Sequence, residues 1–263
     1  HLLRARVLLD LGRKRDAAEH FLVCYRDPQA QIRAGDLFRE HGSNESLAKA
    51  NAAYIQAWSL LDEQLRRGER MNPDGTFAGQ PDLDRIALER EKLDARAREM
   101  VKQAGQSRSF LEAEELLRTA LQIAPANHHG HGELARLLRE WGRSAASTAK
   151  TAEADGHAAM AAKQREEARV SLEDSVTSYR TALSLGVLPR WLYLLEVCEV
   201  LVDDLLPLAE PSRRHSLSQQ ASALLDNLEQ ALNSRAADPS PIDLTKPRAT
   251  HARLKQKLMT YQR

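Results

Sequence analysis

FLEAEELLRTALQIAPANHHGHGELARLLREWG, residues 110–142, decides the fold. Phe110, Ala113, Leu117, Ala120 and Leu121 recur three and four positions apart, so they share one helical face. Pro125 ends that helix, because its ring clashes with the preceding turn and it has no amide hydrogen to donate. Past the turn, Leu134, Ala135 and Leu138 mark a second apolar face. Gly142 is expected at the end of this second helix, where a left-handed residue is often required. Alanine at a crossing point lets two helix backbones approach, and Leu117 and Leu121 fill the flanking grooves. The stretch reads as the second helix of one hairpin, a turn, and the first helix of the next.

The same small and large spacing returns along the chain. In residues 1–28, Ala5, Leu8 and Gly12 serve a first helix and Ala17, Phe21 and Cys24 a second, with Pro28 at the stop. In residues 29–67, Ala34 and Leu37 precede a turn at residues 41–44, where Ser43 or Asn44 is the expected cap. Ala50, Tyr54 and Ala57 follow. Residues 68–81, rich in Gly, Pro and Asp, read as an inserted loop. Residues 82–125 open with a long helix over 83–104, on which Arg85, Glu89, Arg90, Lys92 and Arg96 read as a solvated face with close ion pairs. Residues 126–187 hold the helix expected to end at Gly142 and a second helix carrying Leu172, Ser175, Val176, Tyr179, Ala182 and Leu183. Between them, an alanine-rich insertion (143–167) carries a stripe of small residues, Ala145, Ala149, Ala152, Gly156 and Ala159. It reads as an exposed helical extension or as a close-packed contact for another helix or subunit, with a break at Asp155 and Gly156.

Residues 188–234 form a degenerate fifth unit. Its first helix carries Trp191, Leu194, Leu195, Val197, Cys198 and Leu201, and a turn follows at 205–211. Its second helix, over 217–232, has Ala223, Leu224, Leu228 and Leu232 facing inward. The chain closes with a linker and a C-terminal helix (236–263), the helix itself over 250–261.

Composition agrees with an all-α fold. The 263 residues are 42% hydrophobic and only 5% aromatic, and strong helix formers dominate over β-branched alternation. With 38 basic and 37 acidic residues the net charge is +1, which argues against a general nucleic-acid binder. No apolar run is long enough to cross a membrane. Cys24 and Cys198 lie in apolar helical runs and are expected as buried free thiols. The sequence begins at His1, already inside a helical pattern, as expected for a fragment or processed product. The few cysteines and the lack of a signal peptide or transmembrane run in this segment favour the cytoplasm or nucleus.

The recurring register resembles the tetratricopeptide repeat (TPR), a helix-turn-helix unit of about 34 residues. The resemblance covers about residues 2–232, interrupted by two insertions. It implies a right-handed α-solenoid over residues 1–235, followed by a capping helix, which solenoids need because an end repeat cannot bury both faces. It also implies groove-facing positions on the first helix of each repeat: Arg6, Gln31, Arg39, Arg98, Lys102, Arg136 and Arg139. Leu2 and Arg6 stand where chaperone-binding TPR domains carry Lys and Asn, so the terminal-carboxylate clamp of those domains is not implied here. The basic positions favour a protein or peptide partner with acidic residues.

No nucleophile motif, phosphate loop or HExxH sequence occurs, and a non-catalytic protein is expected, without a cofactor. His128, His129 and His131 are the one metal-like pattern, and a polar turn with one packed histidine accounts for them. The expected function is a protein–protein interaction scaffold. The alternative is a sensor or regulatory arm of a larger enzyme. RNA binding is disfavoured by the variable helix lengths, since base-reading repeats are short and regular.

Overall fold

The computed structural model describes residues 1–236 and 243–262, and among these residues the protein is all-α, without strands. In chain order the helices are α1 (Leu2–Asp10), α2 (Lys14–Leu22), α3 (Pro28–His41), α4 (Asn44–Arg66), α5 (Gln80–Ala104) and α6 (Phe110–Ile123). There follow α7 (His128–Ala154), α8 (Ala158–Ser184), α9 (Arg190–Glu199), α10 (Pro211–Ala236) and α11 (Thr245–Gln262). The chain divides into two compact units, His1–Gln103 with Arg118–Pro125, and Ala104–Leu117 with Ala126–Arg263.

The first unit buries the small and large residues that set its register: Ala5, Ala17, Phe21, Ala34, Ala50, Tyr54 and Ala57. Pro28 does not stop a helix. It opens α3, with Asp27 as the cap accepting from the amides of Gln29 and Ala30. Proline fits there because the first-turn amide needs no partner. Ser43 caps α4, accepting from the Ser46 amide at 3.2 Å. Asn51 on α4 donates to the Ile123 carbonyl at 2.6 Å, satisfying a C-terminal group of α6. The loop expected over 68–81 is shorter than its composition suggests. Phe77 is buried in it, Met71 and Phe77 form an isolated antiparallel bridge, and α5 already begins at Gln80 and takes in Pro81. On the charged face of α5, Arg85, Lys92 and Arg96 are exposed, as expected, and Lys92 and Glu89 form an ion pair at 2.8 Å; Glu89 itself departs from the expectation. Glu89 is buried, and Arg85 pairs with Asp36 on α3.

In the second unit the largest departure from the sequence reading is at Gly142. The helix does not end there: α7 runs on to Ala154. A Cβ on Gly142 would lie 2.7 Å from Leu172 Cγ and 3.1 Å from the Ala168 carbonyl oxygen. The glycine therefore serves a close helix crossing, where the absence of a side chain matters more than backbone freedom. Beyond it, Ala145, Ala149 and Ala152 on α7 and Ala161 and Ala168 on α8 are all buried. The expected insertion is thus the continuation of a long antiparallel hairpin, and most of its small-residue stripe is covered by the hairpin itself. Gly156, at φ +79°, makes the turn, a conformation that costs glycine little. Ala159 is exposed. Ser175 is buried and donates to the Ala135 carbonyl across the hairpin at 2.7 Å.

The segment expected as a turn at 205–211 is helical over most of its length. A π-helical stretch (Val200–Leu205) and a single 3-10 turn (Leu206–Leu208) carry the chain from α9 toward α10, and Val200, Leu201, Val202, Leu205 and Leu206 are buried. On α10 the inward face is Leu217, Ala221, Leu225, Leu228 and Leu232, whereas Ala223 is exposed. Of the expected inward set, Leu228 and Leu232 are thus buried, and Leu224 is partly buried against the core. The expected linker falls largely on residues 237–242, outside the described residues. The last helix starts at Thr245, so Pro247 sits in its first turn and is buried.

Candidate functional site

The basic positions inferred to face a groove divide into two groups. Arg6, Arg98 and Lys102 are exposed, and among the described residues none has a hydrogen bond or ion pair. The others are engaged within the protein. Gln31 is only 1% exposed and donates to the carbonyls of Phe21 and Leu22. It closes the end of α2 and is inaccessible to a partner, which corrects the groove assignment. Arg39 lies 3.2 Å from the carboxylate of Glu89 on α5.

Arg136 and Arg139 are likewise engaged in ion pairs, although a third of the Arg136 side chain stays exposed. Arg136 reaches Glu196 on α9 at 3.0 Å and also pairs with Glu133, and its guanidinium stands 5.5 Å over the Tyr193 ring. Burial alone would lower its pKa, but the hydrogen bond and charge of Glu196, and then Glu133, hold it above the usual range. Arg139, at 12% side-chain exposure, binds Glu199 and Asp204, each at 2.9 Å. Arg143 completes a second contact to Asp204 at 2.9 Å. The row of cations on α7 therefore meets a row of carboxylates on α9 and the π-helical stretch. Such pairs, once desolvated, are held by mutual attraction and leave little field for a partner.

Two consecutive acids on the π-helical stretch serve different helices. Asp204 faces α7, while Asp203 takes a two-pronged contact from Arg253 at 2.8 and 2.9 Å and another from Lys257 at 2.9 Å, both on α11. Burial raises the Asp203 pKa, but the hydrogen bonds from Arg253 and Lys257 outweigh it and leave it below the ordinary carboxylate value.

A surface of different character adjoins this row and shares Glu133 and Arg136 with it. A cleft of about 490 Å³ has Phe110, Ala113, Leu117, Leu137 and Trp141 along its walls. The rings of Phe110 and Trp141 stack at 4.3 Å with 20° between their planes. Trp141 is 36% exposed, and its indole N–H donates to Glu167 on α8 at 3.0 Å. Gln164 in turn donates to Glu167 at 3.1 Å. The indole is thus fixed on two sides. Arg108 and Glu140 also line the cleft, and both are exposed without a partner among the described residues.

Sequence reasoning assigned Phe110 to packing and passed over Trp141. The signal was there: Leu137 and Trp141, four residues apart, form a second apolar strip beside Leu134 and Leu138. One stripe faces the core, and the adjoining strip opens onto the cleft.

His128 and His129 lie exposed at the start of α7, where Asn127 caps the helix by accepting from the Gly130 amide. His131 is half-buried. Among the described residues no group of three or more His, Cys, Asp or Glu side chains is placed to hold a metal ion. Cys198 is buried, and that burial pushes its thiol up to about 12. Cys24 is only half-buried, in the turn after α2, because α2 ends at Leu22. No helix among the described residues is long and apolar enough to cross a membrane. Comparison with family models and with curated proteins returned no match.

Proposed function

We propose that the protein is a TPR-like helical scaffold that binds a segment of a protein partner, and that the cleft beside Trp141 is where it does so. Support for the repeat reading comes from packing between chain neighbours. α1 packs on α2, α2 on α3, α3 on α4, α7 on α8 and α8 on α9. The small residues of the register, Ala113, Ala120 and Ala135 among them, are buried. The single observation that carries the binding reading is the stacked Phe110 and Trp141 pair, partly open to water on the wall of a cleft. A fixed aromatic surface offers contact area with little side-chain entropy to lose, and aromatic residues dominate the energetics of protein interfaces. The cleft volume is within the range that encloses a few side chains of a bound segment.

The basic row is not the basis of this reading, since Arg39, Arg136 and Arg139 are paired internally. The test is site-specific photo-cross-linking in native cell extract. A photoreactive residue replaces Glu140 in the cleft, and in a control it replaces Asn227, exposed on α10. Discrete adducts from position 140, competed away by unlabelled wild-type protein and missing from position 227, are the expected result. Equal labelling from both positions would count against the proposal.

A further inference from the structure

The partner chemistry can be narrowed further, resting on the reading that the cleft binds a partner segment. Each charged group near the cleft is either satisfied or free. Arg136 is taken by Glu133 and Glu196, and Glu167 is taken by Trp141 and Gln164. Ser107 and Ser109 are occupied as well. Ser107 Oγ accepts from the Ser109 amide and donates to Glu112, and Ser109 Oγ accepts from the Glu112 amide. This leaves Arg108 and Glu140, one of each sign, as the charges still available along the lining.

We infer that the cleft recognises a linear peptide segment carrying one aromatic or large aliphatic anchor, with an acidic residue for Arg108 and a basic residue for Glu140. The anchor packs on the exposed part of the Trp141 indole, whose orientation is set by the Phe110 stack and the hydrogen bond to Glu167. Arginine grips a carboxylate in two-pronged fashion, and Glu140 accepts from a lysine or arginine. Complementary charges of both signs set the direction in which the segment lies and exclude segments of a single sign. A uniformly acidic segment would meet the unpaired Glu140 carboxylate and be repelled.

The experiment is selection from a display library of random linear peptides on the wild-type protein, with affinities then measured for three proteins. These are the wild type, Trp141→Ala, and the double variant Arg108→Glu with Glu140→Arg. The double variant alters only exposed side chains without partners, so its fold is preserved, and circular dichroism verifies this for all three. Selected peptides are expected to share an anchor with one acidic and one basic neighbour. Their affinity falls about tenfold or more in each variant, as for loss of an interface hot spot. Selection on the double variant returns the anchor with its two charges exchanged. Peptides that bind all three proteins equally would overturn the cleft assignment while leaving partner binding itself standing. Enriched peptides with acidic residues alone would overturn the mixed-charge rule. Failure to enrich any peptide would overturn the inference too, and cross-linking at position 140 then decides whether the binding reading falls with it.

Discussion

Gly142 on α7 and Leu172 on α8 meet so closely that a single methyl group on Gly142 would sit 2.7 Å from Leu172 Cγ. This crossing lets the two longest helices run side by side. Two opposed effects decide what Gly142→Ala does. Helix propensity favours alanine by about 1 kcal/mol, while overpacking costs about 1–3 kcal/mol. The clash is expected to win, with a net loss of about 1 kcal/mol in urea denaturation. In a Leu172→Ala background the clash with the leucine is removed, only the tight 3.1 Å approach to the Ala168 carbonyl remains, and the same substitution costs less. A double-mutant cycle reads this directly. Additive effects would mean that the two residues are not in contact.

The paired arginines of α7 and the unpaired Arg98 and Lys102 of α5 are expected to behave differently. Asp204→Asn leaves Arg139 and Arg143 short of a carboxylate at a nearly buried position, and should cost about 3 kcal/mol. Arg98→Ala and Lys102→Ala remove exposed, unpaired charges and should stay within about 0.5 kcal/mol of wild type. Chemical denaturation of the three variants side by side measures the contrast. Similar small effects in all three would mean that the α7 network contributes nothing to stability.

Asp203 gives the fold a pH-dependent component. Its pKa is lower folded than unfolded, because the hydrogen bonds from Arg253 and Lys257 outweigh the upward effect of burial. The unfolded state therefore binds the proton more readily, and stability from this group is fully present above the unfolded value of about 3.9. It is lost as pH falls through the folded value. The stability gap between wild type and Asp203→Asn should accordingly be widest near neutral pH and narrow below about pH 4. A gap that stays constant down to the acid transition would show that Asp203 is not charged against α11.

Much of the fold was legible because register is a local property. Leu134, Ala135 and Leu138 announce a buried face whatever lies beyond them, and Tyr54, Leu172 and Tyr179 are buried where their spacing puts them. What was not legible depends on the partner of each face. Gly142 can end a helix or admit a neighbour, and only Leu172 decides between them. Gln31 and Arg139 occupy positions that the repeat resemblance turns toward a ligand. Whether they are free depends on the Leu22 carbonyl and on Asp204, which lies 65 residues further along the chain. The π-helical stretch has no periodicity to betray it. That its adjacent Asp203 and Asp204 serve α11 and α7 is decided by which helices pack on either side of it. The cleft escaped notice for a related reason: Trp141 beside a core stripe looks like one more packing residue until its exposed edge is located.

The continuity of α7 through Gly142 underlies the whole account, since it aligns the paired arginines, the alanine seam and Trp141 on one rigid element. A distance across that point tests it most directly. Spin labels at His129 and Lys150, both exposed on α7, would be placed in a Cys24→Ser background, with Cys198 protected by burial. An unbroken helix separates those backbone positions by about 32 Å, from 1.5 Å per residue. Pulsed electron spin resonance should then return one narrow distribution near that value. A broad distribution, or one centred below about 25 Å, would mean that the helix breaks at Gly142 and would contradict the account.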